Sequence, residues 1–208
     1  TDPNLTDHVA NSSGDNSSFY YTVVSALAAD ADPPLSSYSS VGSSIWVSSP
    51  GGEYGFRAPA MITTDLSGCT HGYSRNQGFN GSAAADNPDC DYTSTFNGTS
   101  SAAPVTSGVA ALMFEANDQL TWRDVKHIMA VTARKIDDDF VPVDVDLGNG
   151  SQYVAEPGWV QNAAGHWFHN WYGFGMVNAQ AAVNLARSVD YELLPPYQII
   201  DFVDSANN

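Results

Sequence analysis

Asn97-Gly98-Thr99-Ser100-Ser101-Ala102-Ala103-Pro104, running straight into Val105-Thr106-Ser107-Gly108-Val109-Ala110-Ala111-Leu112-Met113-Phe114, is the stretch on which the fold turns. From 102 to 116 its polar residues are Thr106, Ser107 and Glu115, and it is apolar all round between Val109 and Phe114. That is the composition of a helix enclosed on every side, threaded through the middle of a sizeable protein. The Ser100 hydroxyl then stands where a polar loop opens into this helix. There the first N–H groups lack intrahelical partners and the helix dipole is positive. Such N–H groups can hold a developing oxyanion, an effect of about 3–4 kcal/mol per donor in acyl-transfer sites. Gly98 lets another backbone approach closely, and Ala102 and Ala103 keep the helix mouth open. Pro104 is expected in the first turn, where its missing N–H has no partner to lose. A lone serine here would read as an ordinary N-cap. The residue order and the apolar helix behind it make Ser100 a candidate nucleophile instead.

Working outward, Phe19-Tyr20-Tyr21-Thr22-Val23-Val24-Ser25-Ala26 is aromatic and β-branched, the composition of a buried strand. A second strand is expected over 42–47, ended by Pro50-Gly51-Gly52, and a third over 61–64. From Gly68 to Asn97 no periodicity is visible, so that stretch reads as a long loop. Thr121 opens another helix with Asp124 as its capping-box partner, and Val125, Ile128, Met129 and Thr132 recur at helical spacing. Asp137-Asp138-Asp139 and Val141-Pro142-Val143 mark an exposed excursion, and a last helix is expected over 178–188. Strands interleaved with helices, one of them interior, specify an α/β layered fold.

The 208 residues suffice for one domain with a real core, or for most of a larger one. Seven Lys and Arg against 23 Asp and Glu leave a net charge of −16, which repels nucleic-acid phosphates and anionic lipid alike. The same charge suits basic peptides or cations. A content of 43% hydrophobic residues excludes a disordered chain, and no apolar run reaches the ~18 residues that would span a membrane. Thr1-Asp2-Pro3-Asn4 is no signal peptide and reads as the start of a processed or excised chain. Cys69 and Cys90 lack CxxC spacing and a nearby histidine pair, which argues against zinc. A disulfide closing their loop would add about 3 kcal/mol, and such a bond, rather than two thiols, belongs to an oxidising compartment.

Gly98-Thr99-Ser100-Ser101-Ala102-Ala103-Pro104 with Gly108 resembles the nucleophile signature of subtilisin-like serine proteases. The likeness continues in Thr63-Thr64-Asp65-Leu66, in Leu120-Thr121-Trp122-Arg123-Asp124-Val125 and in Tyr172-Gly173-Phe174-Gly175-Met176-Val177-Asn178-Ala179, which look like segments of the kexin and furin branch. Val23-Val24-Ser25-Ala26-Leu27, 36–43, Gly51-Gly52-Glu53-Tyr54-Gly55, Asn162-Ala163-Ala164-Gly165 and Trp167-Phe168 are similar to its bacterial, Aeromonas-type members. The resemblance implies a three-layer fold with a mostly parallel sheet, incomplete in this chain, and a secreted or periplasmic serine endopeptidase. It implies that Ser100 attacks the scissile carbonyl, that its N–H binds the oxyanion with Thr99 and Gly98 in support, and that Ser101 faces the leaving group. It implies protein or peptide substrates, basic residues among them, and calcium with unassigned ligands.

The family places its Asp, His and oxyanion Asn ahead of the serine, yet no Asp-x-Gly, His-Gly-Thr, Ala-Gly-Asn or Ser-Gly-Asn precedes Ser100. His8 lies too close to Ser100 for the base and is followed by helix-breaking Asn11-Ser12-Ser13-Gly14. His71, His127, His166 and His169 follow or flank the serine in the wrong order and read as surface or packing residues. Residues 1–190 are therefore expected to be the C-terminal portion of a catalytic domain. Residues 191–208 would then be a linker toward a P-domain, and the chain by itself inactive. The rival reading is a catalytically dead subtilase fold used for binding. Asp15 lies near a furin-type pocket aspartate but with shorter spacing to Phe19. Ser40 replaces the glutamate that kexins carry at that position. Asp86, Asp89 and Asp91 show no calcium-loop spacing and read as a solvated acidic loop, and Trp159, Trp167 and Trp171 as packing beside the last helix.

Overall fold

Side-chain periodicity and turn chemistry build most of the expected elements, and the computed structural model describes residues 9–55, 58–74 and 86–197. Strands β1 (Val23–Leu27) and β2 (Ile45–Pro50) pair in parallel, with Val24 opposite Val47 and Leu27 opposite Pro50. Strand β3 (Met61–Thr64) pairs antiparallel with β4 (Tyr92–Phe96), placing Thr63 opposite Thr93. Helix α1 (Thr99–Ala116) follows at once, then α2 (Trp122–Thr132). A hairpin of β5 (Val143–Asp146) and β6 (Gln152–Glu156), a short pair β7 (Val160–Gln161) and β8 (Trp167–Phe168), and α3 (Ala179–Ala186) complete the order.

The main core joins the three helices to β2: Val47, Val109, Met113, Val125, Ile128, Met129 and Ala182 form one buried cluster. Leu27, Trp171 and Tyr172 nucleate a second, with Phe140 and Trp159 packed against it. The three tryptophans thus belong around this second cluster or at the surface rather than beside α3. Trp159 and Trp171 pack on His169, and Trp167 is 43% exposed beneath Lys135.

Four expectations are corrected. Phe19, Tyr20 and Tyr21 are not strand but an exposed turn, because the Lys126 ammonium takes the carbonyls of Phe19 and Tyr21 at 2.9 and 2.8 Å in place of a ladder. The 68–97 stretch is not all loop, since the β-branched and aromatic residues of β4 pair with β3. The acidic excursion contains β5, whose Val143 and Val145 alternate with exposed Asp144 and Asp146. Helix α1 is buried along one stripe, Ser101, Ala102, Thr106, Val109 and Met113, while Leu112 and Phe114 are 53% and 42% exposed. Its neighbours β1, β2 and α3 cover that stripe and leave the opposite face open.

Candidate active site

Gly98 is the last residue before α1 and holds φ 96° and ψ 169°, a region that essentially only glycine occupies. No side chain caps the helix. The Gly98 carbonyl takes the N–H groups of Ser101 and Ala102 at 2.9 and 3.3 Å, closing the first turn. Among the described residues no hydrogen bond engages the N–H of Thr99 or Ser100, or the Ser100 hydroxyl, and both side chains are exposed. Ser100 therefore presents its Oγ to solvent at the second position of α1, beside amides aligned with the helix dipole. Helix onset at Thr99 also moves Pro104 beyond the first turn. Its absent N–H withholds from the Ser100 carbonyl the bond that an ordinary residue would make.

Ser100 lines a cavity of about 410 Å³ together with Asp15, Tyr21, Ser40 and Thr99. Asp15, despite its shorter spacing to Phe19, lines this cavity together with Ser100. Lys126 shapes the same wall from a distance by pinning the Tyr21 carbonyl. Its ammonium lies 4.2 Å above the Trp46 ring, and burial pushes its pKa down.

The floor behind Gly98 was missed in the sequence. Tyr38 Oη accepts the Gly98 N–H at 2.8 Å and lies 2.9 and 2.5 Å from the carbonyls of Gly51 and Gly52. Ser36 Oγ donates to the Gly52 carbonyl at 2.8 Å, and buried Glu53 accepts from Ser37, with Oε2 3.0 Å from the hydroxyl. A methyl group on Gly51 would sit 2.5 Å from Ala26 Cβ and 3.2 Å from the Gly98 carbonyl oxygen. Glycine is therefore required for this close approach. The Ser36-Ser37-Tyr38 run and the Gly51-Gly52-Glu53 run were each visible, but their meeting across the C-terminal side of β1 and β2 was not.

None of the described histidines borders the Ser100 cavity. His169 is fully buried among Phe140, Trp159 and Tyr172, and burial, aided by the charge of Lys135, lowers its pKa to about 4. It is a neutral packing residue whose Nδ1 accepts the Trp171 N–H at 3.0 Å. His127 lies 3.4 Å from the Tyr191 hydroxyl, His166 packs near Phe174, and His71 is exposed. His8 lies outside the described residues.

A cleft of about 420 Å³ is bordered by Asp32, Asp137, Asp139 and Asp144, but Asp137 already accepts the Tyr172 hydroxyl at 2.8 Å. In the cysteine loop, Asp91 takes the Gly68 N–H at 3.0 Å. Among the described residues no three acidic, His or Cys side chains converge as a metal site requires. Among the described residues the calcium implied by the resemblance has no ligand set. Cys69 and Cys90 are joined as a disulfide, as expected.

A parallel strand pair packed against α1, with an exposed serine in the first turn of that helix, defines an α/β protein with a serine-centred site. Residues 4–175 match the subtilase family, peptidase S8, and the chain belongs to that family. It is 42% identical over 203 residues to the Aeromonas extracellular serine protease of Aeromonas sobria, covering 93% of this chain and 32% of that protein. It is 38% identical over 95 residues to human proprotein convertase subtilisin/kexin type 6, covering 46% of this chain and 8% of that protein. The crystal structure of the serine protease of Aeromonas sobria matches with a TM-score of 0.77 at 42% identity, over 87% of this chain and 31% of that one. The fold is therefore subtilisin-like, with small sheets in this chain. The chain spans about a third of the length of the Aeromonas relatives it matches. No helix among the described residues is long and apolar enough to cross a membrane.

Proposed function

We propose that the chain carries the nucleophile of a secreted serine endopeptidase of the kexin-like branch. One observation carries the reading: an exposed Ser100 hydroxyl at the uncapped start of α1, beside a cavity large enough for a substrate side chain. Ser100 Oγ attacks the carbonyl carbon of a peptide bond and passes its proton to a base supplied by sequence outside this chain. The carbonyl oxygen, now negative, is received by the Ser100 N–H with Thr99 and Gly98 shaping the approach, an interaction stronger in the transition state than in the substrate. The base returns the proton to the departing amine, and water then cleaves the ester. Residues 1–190 would be the C-terminal portion of the catalytic domain and 191–208 the path toward a further domain.

The net charge of −16 and an aspartate, Asp15, in the lining of the Ser100 cavity support substrates with basic residues. The disulfide and the extracellular relative support secretion. The test is a serine-directed phosphonate applied to the complete enzyme, followed by peptide mapping of the adduct. An adduct on Ser100 is expected, and an adduct on any other residue would refute the assignment.

A further inference from the structure

The hydrogen bond between Tyr38 and Gly98 joins residues 60 positions apart, and it ends on the peptide that sets where α1 begins. We infer that Tyr38 is a positioning residue for Ser100: its hydroxyl fixes the Gly98 peptide, and through it the height and direction of the nucleophile. The inference rests on the reading of Ser100 given above.

Three features of the geometry support it. Gly98 sits in a backbone region with no restoring preference of its own, so its orientation depends on what holds its N–H and carbonyl. The carbonyl is held by the first turn of α1, and the N–H by Tyr38. Tyr38 is itself fixed, because its proton is directed at the carbonyls of Gly51 and Gly52, its ring is half-buried and Tyr54 meets it edge-on at 5.6 Å. Gly51 and Gly52 are anchored in turn, since both N–H groups donate to the Leu27 carbonyl at 2.8 and 2.9 Å. The nucleophile is thus tied to the end of β1 by Leu27, the Gly51-Gly52 turn, Tyr38 and Gly98. Burial raises the Tyr38 pKa, so the hydroxyl keeps the proton it needs to donate to a carbonyl while accepting from Gly98.

The discriminating experiment uses the complete enzyme and the Tyr38→Phe variant, which keeps the ring and removes the oxygen. kcat is expected to fall about tenfold with KM within about twofold, because misorientation affects the chemical step. Phosphonate labelling of Ser100 should slow by the same factor. Labelling counts folded sites, so its rate per site is defined even if part of a preparation is misfolded. Tyr172→Phe is the structural control: it removes a buried tyrosine's hydroxyl, bonded to Asp137 and touching neither Gly98 nor the Ser100 cavity, and should leave the labelling rate unchanged. Unchanged kcat and labelling in Tyr38→Phe would overturn the inference. A rise in KM alone, or equal slowing in Tyr172→Phe, would overturn it as well. Labelling that persists in Ser100→Ala would instead refute the reading of the nucleophile, a result separable from these.

Discussion

Two helices of this chain begin in opposite ways. At the start of α2, Asp124 Oδ2 accepts the Thr121 N–H at 2.8 Å and its hydroxyl at 2.5 Å, and Oδ1 takes the Tyr191 hydroxyl and the Leu194 N–H at 3.1 and 2.8 Å. The capping box is complete, and the carboxylate also ties down the chain beyond α3. At the start of α1 there is a glycine, no capping side chain, and an exposed serine. The first helix end is saturated and contributes stability; the second leaves its leading amides for a ligand. The contrast separates a helix start that builds the fold from one that performs chemistry.

The largest test of that contrast is Ser100→Ala. In the complete enzyme it should lower kcat on the order of 10⁶-fold. The thermal midpoint should move by no more than about 1–2 °C, since the lost hydroxyl caps nothing. A clear drop in the midpoint with activity retained would make Ser100 a cap and erase the difference between the two helices.

Asp124→Asn probes the other end. It puts an amide group among four donors and should destabilise the protein by about 3 kcal/mol, with kcat per folded molecule unchanged. Burial pushes the Asp124 pKa upward, but bonds from Leu194, Thr121 and Tyr191 outweigh it, leaving the carboxyl below its usual range. With a depressed folded value, its stabilisation is fully present above the unfolded pKa of about 4 and is lost as pH falls through the folded value. Urea midpoints at pH 7 and pH 3 should therefore converge in the Asn variant toward the acid-weakened parent. Equal pH dependence in both proteins would show that the carboxylate does not support this end.

What the sequence made legible follows the same division. The Thr121 to Asp124 box and the Gly98 to Pro104 signature are local, and each was readable from a few adjacent residues. Phe19 to Tyr21 failed as a strand because Lys126 captures their carbonyls, and strand propensity carries no trace of a cation so distant in the chain. Helix α1 was read as enclosed because both of its faces are apolar, and composition cannot say which face meets β1 and β2. The Tyr38 contact was equally hidden, since nothing in Ser36-Ser37-Tyr38 announces Gly98 as its partner.

Gly98→Ala makes the finest cut, because it changes backbone preference with little new contact. A Cβ there would lie 3.6 Å from the Ser100 nitrogen and 4.0 Å from its Cβ, ordinary van der Waals distances. The cost is therefore conformational: alanine at φ 96° and ψ 169° is strained by about 1–2 kcal/mol. Two responses are open to the chain. If Tyr38 and the first turn hold the peptide, the variant loses that stability in a urea titration and labels Ser100 at the parent rate. If the peptide relaxes instead, stability returns toward the parent value while labelling slows several-fold. Because Tyr38 and the first turn grip Gly98 from both sides, the first outcome is expected, and a relaxed, slow-labelling variant would show that the helix mouth is softer than its hydrogen bonds imply.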